Sequence, residues 1–291
     1  MERLRQFFEH DWAIMRQSLD GVLALVVPCI RAGNLSEARG MVGRERLTAR
    51  VMSAPYTSCD HTLDDASLPE NSVAVIRLEG TIYAWETDWF IEDMARAEAN
   101  PAVAGIVLVI DGPGGHATRI DVAASAVRNC SKPVAAVVTG TMCSAHFWIG
   151  SGAARTFAIS PLCSVGSVGA MTEFVNIKKY FESIGLEVRD IYPAISDLKN
   201  EEWRELEQGG DALVCARLEK LARAFCLSVA RNLGIDYDPK LEIFRGRVFQ
   251  ADEAVALGYI DCIGTVEDAV LWVLTEALSR KAAQLFPNNP T

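Results

Sequence analysis

Between residues 72 and 160 the chain alternates short apolar runs with amphipathic segments. The runs are rich in β-branched residues, which is typical of strands buried on both faces of a parallel sheet. The segments between them place apolar residues at helical spacing, so each predicts a helix that connects one strand to the next. We therefore predict an α/β fold with a mostly parallel, twisted sheet, right-handed crossovers and flanking helices. The predicted strands are 73–78, 103–110, 133–139 and 155–159, and the predicted helices are 87–100, 119–129 and 145–154.

The two ends of the chain follow other patterns. Residues 1–33 carry Leu4, Phe7, Phe8, Trp12 and Met15 at helical spacing, which predicts an N-terminal helical extension, and the polar residues 34–71 predict a linker with one short helix. Three regions result: the extension and linker at 1–71, the α/β domain at 72–268, and a C-terminal helix and tail at 269–291.

After residue 160 we predict a glycine-punctuated loop at 163–169 and strands at 187–192, 247–249 and 259–261. The predicted helices are 176–184, 201–233, 251–257 and 265–285, and we expect an interruption of the second at Gly209-Gly210.

Composition excludes several classes of partner. A net charge of −10 and a pI near 5.0, with no basic stripe, argue against binding to nucleic acid. The eight cysteines form no C-x-x-C pair and the four histidines have no metal-ligand spacing, so we expect a reducing, cytoplasmic setting, no metal and no cofactor. The apolar run 21–30 is too short to cross a bilayer and no cleavage site follows it, so we expect neither a signal peptide nor stable membrane insertion.

A serine lies between a buried strand and a helix of small and apolar residues. Ser144 follows the run Val134–Val138 and the break at Gly140, and it precedes the segment that begins at Ala145. At such a turn the unpaired N–H groups and the dipole of the helix favour negative charge, which suits an attacking oxygen and the oxyanion that it creates. Ser144 is therefore a candidate nucleophile. The alternative is that it only caps the helix.

Three segments of the predicted sheet end at the same edge, because each follows the carboxyl end of a strand. They are Gly112-Pro-Gly-Gly115, Ser144 and the loop Ser164–Gly169. Glycines present backbone N–H groups that no side chain obstructs, so the loop and the N–H after the serine could form an oxyanion hole. The alternative for the first segment is a plain tight turn. The candidate oxyanion-hole residues are Gly114, Gly115 and Ala145, and the candidate substrate contacts are Gly112, Ser164 and Ser167.

The order of these motifs resembles the signal peptide peptidase A family of serine peptidases. The shared features are a strand followed by Asp-Gly-Pro-Gly-Gly, a serine at a small-residue turn, the sequence Ser-Val-Gly-Ser-Val-Gly and the late stretch 244–261. The resemblance covers residues 73–268 and implies the fold shared by Clp protease and crotonase. The N-terminal segment with Trp12 is more similar to the phage head-maturation (prohead) branch than to the membrane-bound one. The implied activity is that of a serine endopeptidase that works through an acyl-enzyme.

The resemblance also implies a Ser/Lys dyad, in which a neutral lysine amine takes the proton of the serine hydroxyl. No histidine lies beyond His146, and at two residues past Ser144 on a helix His146 points away from the serine. Lys199 lies where the lysine of the family falls, after the predicted strand 187–192, although it is slightly late and lacks the preceding glycine turn. Alternative bases are Lys178, Lys179 or a lysine of a neighbouring subunit, whereas Lys132 lies at the opposite end of the strand that precedes Ser144.

Other functions stay open at this point. A catalytically silent assembly or scaffold protein of the same fold would also lose the regular lysine position, and a crotonase-like acyl-CoA enzyme would not need the turn serine. Cys143 is an alternative nucleophile beside Ser144.

The long helix 201–233 and the apolar N-terminal segment offer more apolar surface than one domain needs, so we expect a homo-oligomer, in the form of a ring. The expected partner is a protein or peptide substrate, such as a capsid or scaffold protein, in the cytoplasm or in a virion precursor.

Overall fold

Within the residues that the computed structural model describes, the protein is built on one sheet of nine strands. These residues are 12–14, 49–53, 59–65, 67–176, 178–187 and 189–285. The strands are β1 (Trp12–Ile14), β2 (Arg50–Met52), β3 (Cys59–Thr62), β4 (Ser72–Glu79), β5 (Val103–Gly112), β6 (Gly114–His116), β7 (Val134–Cys143), β8 (Arg155–Ala158), β9 (Ser164–Gly166), β10 (Val248–Gln250) and β11 (Cys262–Ile263). The order across the sheet is β10-β9-β7-β5-β4-β2-β3, with β8 beside β7 and β11 beside β8, while β1 and β6 form a separate pair.

The centre of the sheet is parallel. Strands β4, β5, β7 and β8 run in the same direction in that order, and β2, β3 and β10 add antiparallel pairs at the two sides. The central strands are apolar at nearly every position because both of their faces are covered, which is the pattern that predicted them. The predicted α/β fold with a mostly parallel sheet and flanking helices is confirmed.

Helices cover both faces of the sheet. Alternate residues of β4 illustrate the two layers: Ile76 packs into the cluster that contains Phe90 and Trp148, and Val75 packs into the cluster that contains Val273. On the first face, the rings of Trp148 and Phe225 stack with centroids 4.4 Å apart and join two helices. The helices are α1 (Ala84–Ala99), α2 (Ile120–Arg128), α3 (Ala145–Gly150), α4 (Lys178–Ser183), α5 (Glu201–Glu207), α6 (Ala212–Leu233), α7 (Ala251–Ala256) and α8 (Val266–Leu285), with single 3₁₀ turns at Ala194–Ser196 and Glu242–Arg245.

Several predicted segments differ from the structure. Residues 12–14 form strand β1 instead of a helix, because pairing with β6 overrides the local spacing, and the other residues of 1–33 lie outside the described part. Strands β2 and β3 replace part of the predicted linker. The prediction of a strand at 187–192 is wrong: its described residues have no regular structure and are mostly exposed. The last predicted strand, 259–261, is displaced to 262–263, where it pairs with β8.

The long helix predicted over 201–233 is two helices. The first ends at Glu207 and the second begins at Ala212, so the interruption expected at Gly209-Gly210 is confirmed. Among the described residues, no helix combines the length and the apolar composition needed to cross a membrane.

Candidate active site

Ser144 lies in a sharp turn between β7 and α3. Its backbone angles are φ 56° and ψ −119°, which a residue with a side chain rarely adopts and which cost about 1–3 kcal/mol. Two backbone hydrogen bonds hold the turn: the Ser144 N–H donates to Gly166 O at 2.8 Å, and the Trp148 N–H donates to Ser144 O at 2.9 Å. The residue is 2% exposed. Strain of this kind is typical of a serine held for nucleophilic attack at the start of a helix.

The three segments predicted to share one edge of the sheet meet there. Gly112 at the end of β5 lies beside Met142 near the end of β7, and Cys143 lies beside Gly166 in β9. The hydrogen bond from the Ser144 N–H to Gly166 O joins the serine turn to β9. The sequence missed that part of the Ser-Val-Gly-Ser-Val-Gly loop is strand β9, because three residues with a glycine among them are too few to show an alternating pattern.

The glycine loop packs tightly against a buried histidine. His146 is 0% exposed, and its Nδ1 accepts a hydrogen bond from the Gly114 N–H at 3.0 Å. A Cβ atom on Gly112 would lie 2.3 Å from Cε1 of the same ring, so only glycine fits there. The Gly114 N–H therefore has a partner within the protein. The sequence alone did not indicate that the glycine loop packs against this ring.

Gly115 lies between two backbone segments. On one side, the Ile82 N–H donates to Gly114 O at 3.0 Å and the His116 N–H donates to Ile82 O at 2.8 Å. This approach is so close that a Cβ atom on Gly115 would lie 2.0 Å from Ile82 O. On the other side lies β1, antiparallel to β6, with Ala13 opposite Gly115. The loop thus forms a short strand whose two edges are both occupied.

The candidate substrate contacts Ser164 and Ser167 lie at the two ends of strand β9: Ser164 is its first residue, and Ser167 directly follows its last. Ser164 is half-buried and lies opposite Thr141 on one side and Gln250 on the other. Ser167 has φ 55°, and its N–H donates to Arg247 O at 2.8 Å. Strand β10 therefore supports the segment that holds the backbone of Ser144.

Cys143 does not have the properties of a nucleophile. Its side chain is buried, and burial raises the pKa of its thiol to about 12, because the apolar surroundings disfavour the thiolate. A thiol attacks as its thiolate, so Cys143 is inert near neutral pH. Ser144 therefore stays the candidate nucleophile of the turn.

The lysines considered as bases lie in different surroundings. Lys199 follows the 3₁₀ turn Ala194–Ser196 and is exposed. The ammonium of Lys178 donates to Asp190 and to Glu207 at 2.8 Å each, and these bonds raise its pKa, so it stays protonated. The Nζ of Lys132 donates to Ala97 O and Asn100 O at 2.9 and 2.6 Å, at the amino end of β7 and away from the serine. The side chain of Lys179 lies outside the described residues.

The fold and the site define an α/β protein that is organised around a strained serine beside a glycine-rich loop. Residues 126–278 match peptidase family S49, and the chain belongs to that family. The match begins in α2 and contains the Ser144 turn, β9, β10 and most of α8.

Curated relatives include proteins of bacteriophages and bacteria. The chain is 26% identical to capsid assembly protease C of Escherichia phage lambda over 74% of this chain and 51% of that protein. It is 24% identical to head-tail preconnector protein GP5 of Enterobacteria phage P21, over 75% and 46%. Protease 4 of Salmonella typhi is 25% identical, over 72% and 35%. The chain thus spans about half the length of each of the two phage relatives and about a third of the length of the bacterial one.

Two solved structures are similar to this chain. A mutant of the 1510-N membrane-bound stomatin-specific protease superposes with a TM-score of 0.46 at 18% identity, covering 69% of this chain and 84% of that one. A member of the enoyl-CoA hydratase/isomerase family gives a TM-score of 0.38 at 20% identity, covering 75% of this chain and 74% of that one.

Proposed function

We propose that this chain is a serine endopeptidase in which Ser144 is the nucleophile. The observation that carries the proposal is the strained backbone of Ser144, at φ 56°, next to the glycine loop of β6 in a member of peptidase family S49. A structure stores strain at a residue where a function requires that geometry. The resemblance of the motifs to signal peptide peptidase A supports the same reaction.

The reaction proceeds in two steps. A neutral lysine takes the proton of the Ser144 hydroxyl while Oγ forms a bond to the substrate carbonyl carbon, and the N–H groups of Gly115 and Ala145 stabilise the resulting oxyanion. When this intermediate collapses, the carbon–nitrogen bond breaks and the lysine returns the proton to the departing amine. Water then hydrolyses the acyl-enzyme through the same base.

His146 positions the glycine loop in this scheme. Because its Nδ1 already binds the Gly114 N–H, Gly114 contributes to the oxyanion hole through the shape of the loop, and Gly115 supplies the donor. The ring also fills the space beside Gly112, which fixes the start of the loop. Gly112, Ser164 and Ser167 then line the substrate position.

Lys199 is the proposed base, and a second copy of the chain would bury it. Near Lys199 in the sequence, Ile191, Ile195 and Leu198 are 86, 94 and 69% exposed, and Trp203 is 44% exposed. An apolar segment of this kind is typical of an interface, and a homo-oligomeric ring would cover it. The same contact would supply the desolvation that a lysine base requires.

The proposed substrate is a protein. Two relatives are named a capsid assembly protease and a head-tail preconnector protein, which supports a capsid or scaffold protein as the substrate and a virion precursor as the place of action. The exposure of Lys199 favours one other function, a catalytically silent assembly protein of the same fold.

A fluorophosphonate probe distinguishes the two functions. We expect the probe to label Ser144 of the purified protein, with peptide mapping to locate the adduct, and we expect Ser144→Ala to abolish both labelling and peptide hydrolysis. Ser125→Ala, at a half-buried serine of α2, is the matched control and should keep both. A wild-type protein that takes no label and cleaves no peptide would establish the silent function instead.

A further inference from the structure

We propose that residues 12–14 occupy the position at which a peptide substrate binds, so that the chain carries its own competitor of the substrate. The observation is the antiparallel pair between β1 and β6, in which Ala13 lies opposite Gly115. The inference rests on the proposed peptidase function, because it assigns a role to the strand position next to the proposed oxyanion hole.

The backbone groups of β6 point alternately to Ile82 and to β1. Ile82 uses the carbonyl of Gly114 and the N–H of His116. Successive residues of a strand direct their N–H and C=O groups to opposite sides, so those of Gly115 point away from Ile82. On that side Ala13 lies directly opposite, and it is therefore the residue of β1 whose backbone groups face Gly115.

The pair of β1 and β6 lies next to the Ser144 turn. Strand β6 follows β5 after one residue, and the end of β5 lies beside Met142, two residues before Ser144. An extended peptide whose carbonyl is to reach Ser144 can add as a strand to the edge of β6 that faces away from Ile82, which is a common way for a protein to bind a peptide. Residues 12–14 hold that edge, and Ser144 is only 2% exposed in this arrangement.

The pair of β1 and β6 is short, and a substrate could therefore displace β1. A pair of three-residue strands is weak by itself. Because residues 12–14 belong to the same chain, however, their effective concentration at β6 is of the order of millimolar. A weak segment at such a concentration excludes weakly bound peptides and yields to a substrate that binds more tightly. The protein therefore favours substrates that make contacts beyond their pairing with β6.

A proline scan of the full-length chain tests the competition. Ala13→Pro removes the N–H that faces β6, whereas Ile14→Pro removes an N–H that points the other way, so the second variant is the matched control. If residues 12–14 occupy β6 about 90% of the time, Ala13→Pro lowers the KM for a peptide substrate about tenfold with little change in kcat. Ile14→Pro should leave the KM close to that of the wild type.

Two probes separate this inference from the proposed function. Diisopropyl fluorophosphate is too small to need the strand position, so it should label Ser144 equally fast in all three proteins. If it labels none of them, the proposed function fails. Equal labelling together with an unchanged KM in Ala13→Pro overturns the competitor alone.

Hydrogen exchange of the wild type gives a measurement that needs no variant. A peptidyl aldehyde bound to Ser144 should displace residues 12–14 and speed the exchange of the Ala13 amide, while the Gly115 amide stays protected by the inhibitor. If the Ala13 amide exchanges equally slowly with and without the bound aldehyde, the two strands do not compete and the inference is wrong.

Discussion

The Nδ1 atom of His146 accepts the hydrogen bond of the Gly114 N–H at 3.0 Å, inside the protein and beneath the glycine loop. An acceptor at Nδ1 requires a neutral imidazole with its proton on Nε2. The side chain thus links the first turn of α3 to the loop that would stabilise the oxyanion in the proposed enzyme.

Removal of this acceptor is expected to slow the reaction without weakening substrate binding. His146→Phe keeps a ring of similar size but cannot accept the Gly114 hydrogen bond, so we expect kcat to fall about tenfold to hundredfold at nearly constant KM. His146→Asn can offer an amide oxygen near the position of Nδ1 and should recover part of the loss. Equal kcat values for the wild type and the Phe variant would show that the loop keeps its shape without the histidine.

The strain at Ser144 predicts that glycine at this position makes the protein more stable than alanine does. Glycine adopts φ 56° without a steric cost, whereas alanine does not. We expect Ser144→Gly to be about 1 kcal/mol more stable than Ser144→Ala, which corresponds to a Tm about 2–4 °C higher. Both variants should be inactive. Calorimetry of the two proteins decides the point, and a Tm of the Gly variant at or below that of the Ala variant would contradict it.

Alkylation tests the assignment of the thiols. Burial raises the pKa of Cys143 to about 12, so its thiolate is scarce up to pH 9 and N-ethylmaleimide should leave it unmodified in the folded protein. The exposed Cys215 is the internal control and should react first, as peptide mapping by mass spectrometry would show. Activity should survive this treatment. Rapid loss of activity with label on Cys143 would make the thiol the nucleophile.

Because the pKa of the Cys143 thiol is raised on folding, the unfolded chain releases this proton at a lower pH than the folded protein does. The stabilisation by the buried neutral thiol is therefore complete below the ordinary thiol value of 9.0 and decreases as the pH rises from there towards about 12. Urea unfolding of the wild type and of Cys143→Ala at pH 7 and pH 10 is expected to show a larger loss for the wild type. Equal losses would indicate that the thiol ionises without a penalty from burial.

Substitution of two lysines separates the base from a structural ion pair. We expect Lys199→Ala to lower kcat about a hundredfold to ten-thousandfold, as is typical when a general base is removed. Lys178→Ala removes a cation whose pKa is raised by Asp190 and Glu207, so it should change kcat little. The test is the rate of peptide hydrolysis by both variants. Full activity in Lys199→Ala would move the role to Lys179 or to a lysine of a neighbouring subunit.

The exposed apolar segment predicts a charge-sensitive assembly. Ile195 is 94% exposed, and Ile195→Asp should dissociate the proposed homo-oligomer by placing a charge in the proposed interface. Leu278→Asp, at a leucine that is 60% exposed on α8, is the matched control and should not alter the mass measured by light scattering. Equal masses for the Ile195→Asp variant and the wild type would place the interface elsewhere.

The sequence predicted the long elements, whose pattern of apolar residues extends over many positions. Strands β4, β5 and β7 are eight to ten residues long, and their continuous apolar pattern follows from burial on both faces. Strands β1 and β9 have three residues each, and pairing with distant segments decides their structure, so no local pattern could indicate them.

The candidate site was predictable to the same extent. Ser144 and the glycine loop had to meet, since parallel strands end at one edge of the sheet. The contact between His146 and Gly114 could not be derived, because it depends on which side of α3 the loop passes.

The support of Ser144 by β9 and β10 has a consequence during synthesis of the chain. The Ser144 N–H binds Gly166, and Gly166 in turn lies beside Val248 in β10. Strand β9 can therefore pair with β10 only after the ribosome has added about a hundred residues beyond Ser144. In the proposed enzyme, a nascent chain would remain without a competent nucleophile until then, which protects the other proteins at the site of translation from premature cleavage.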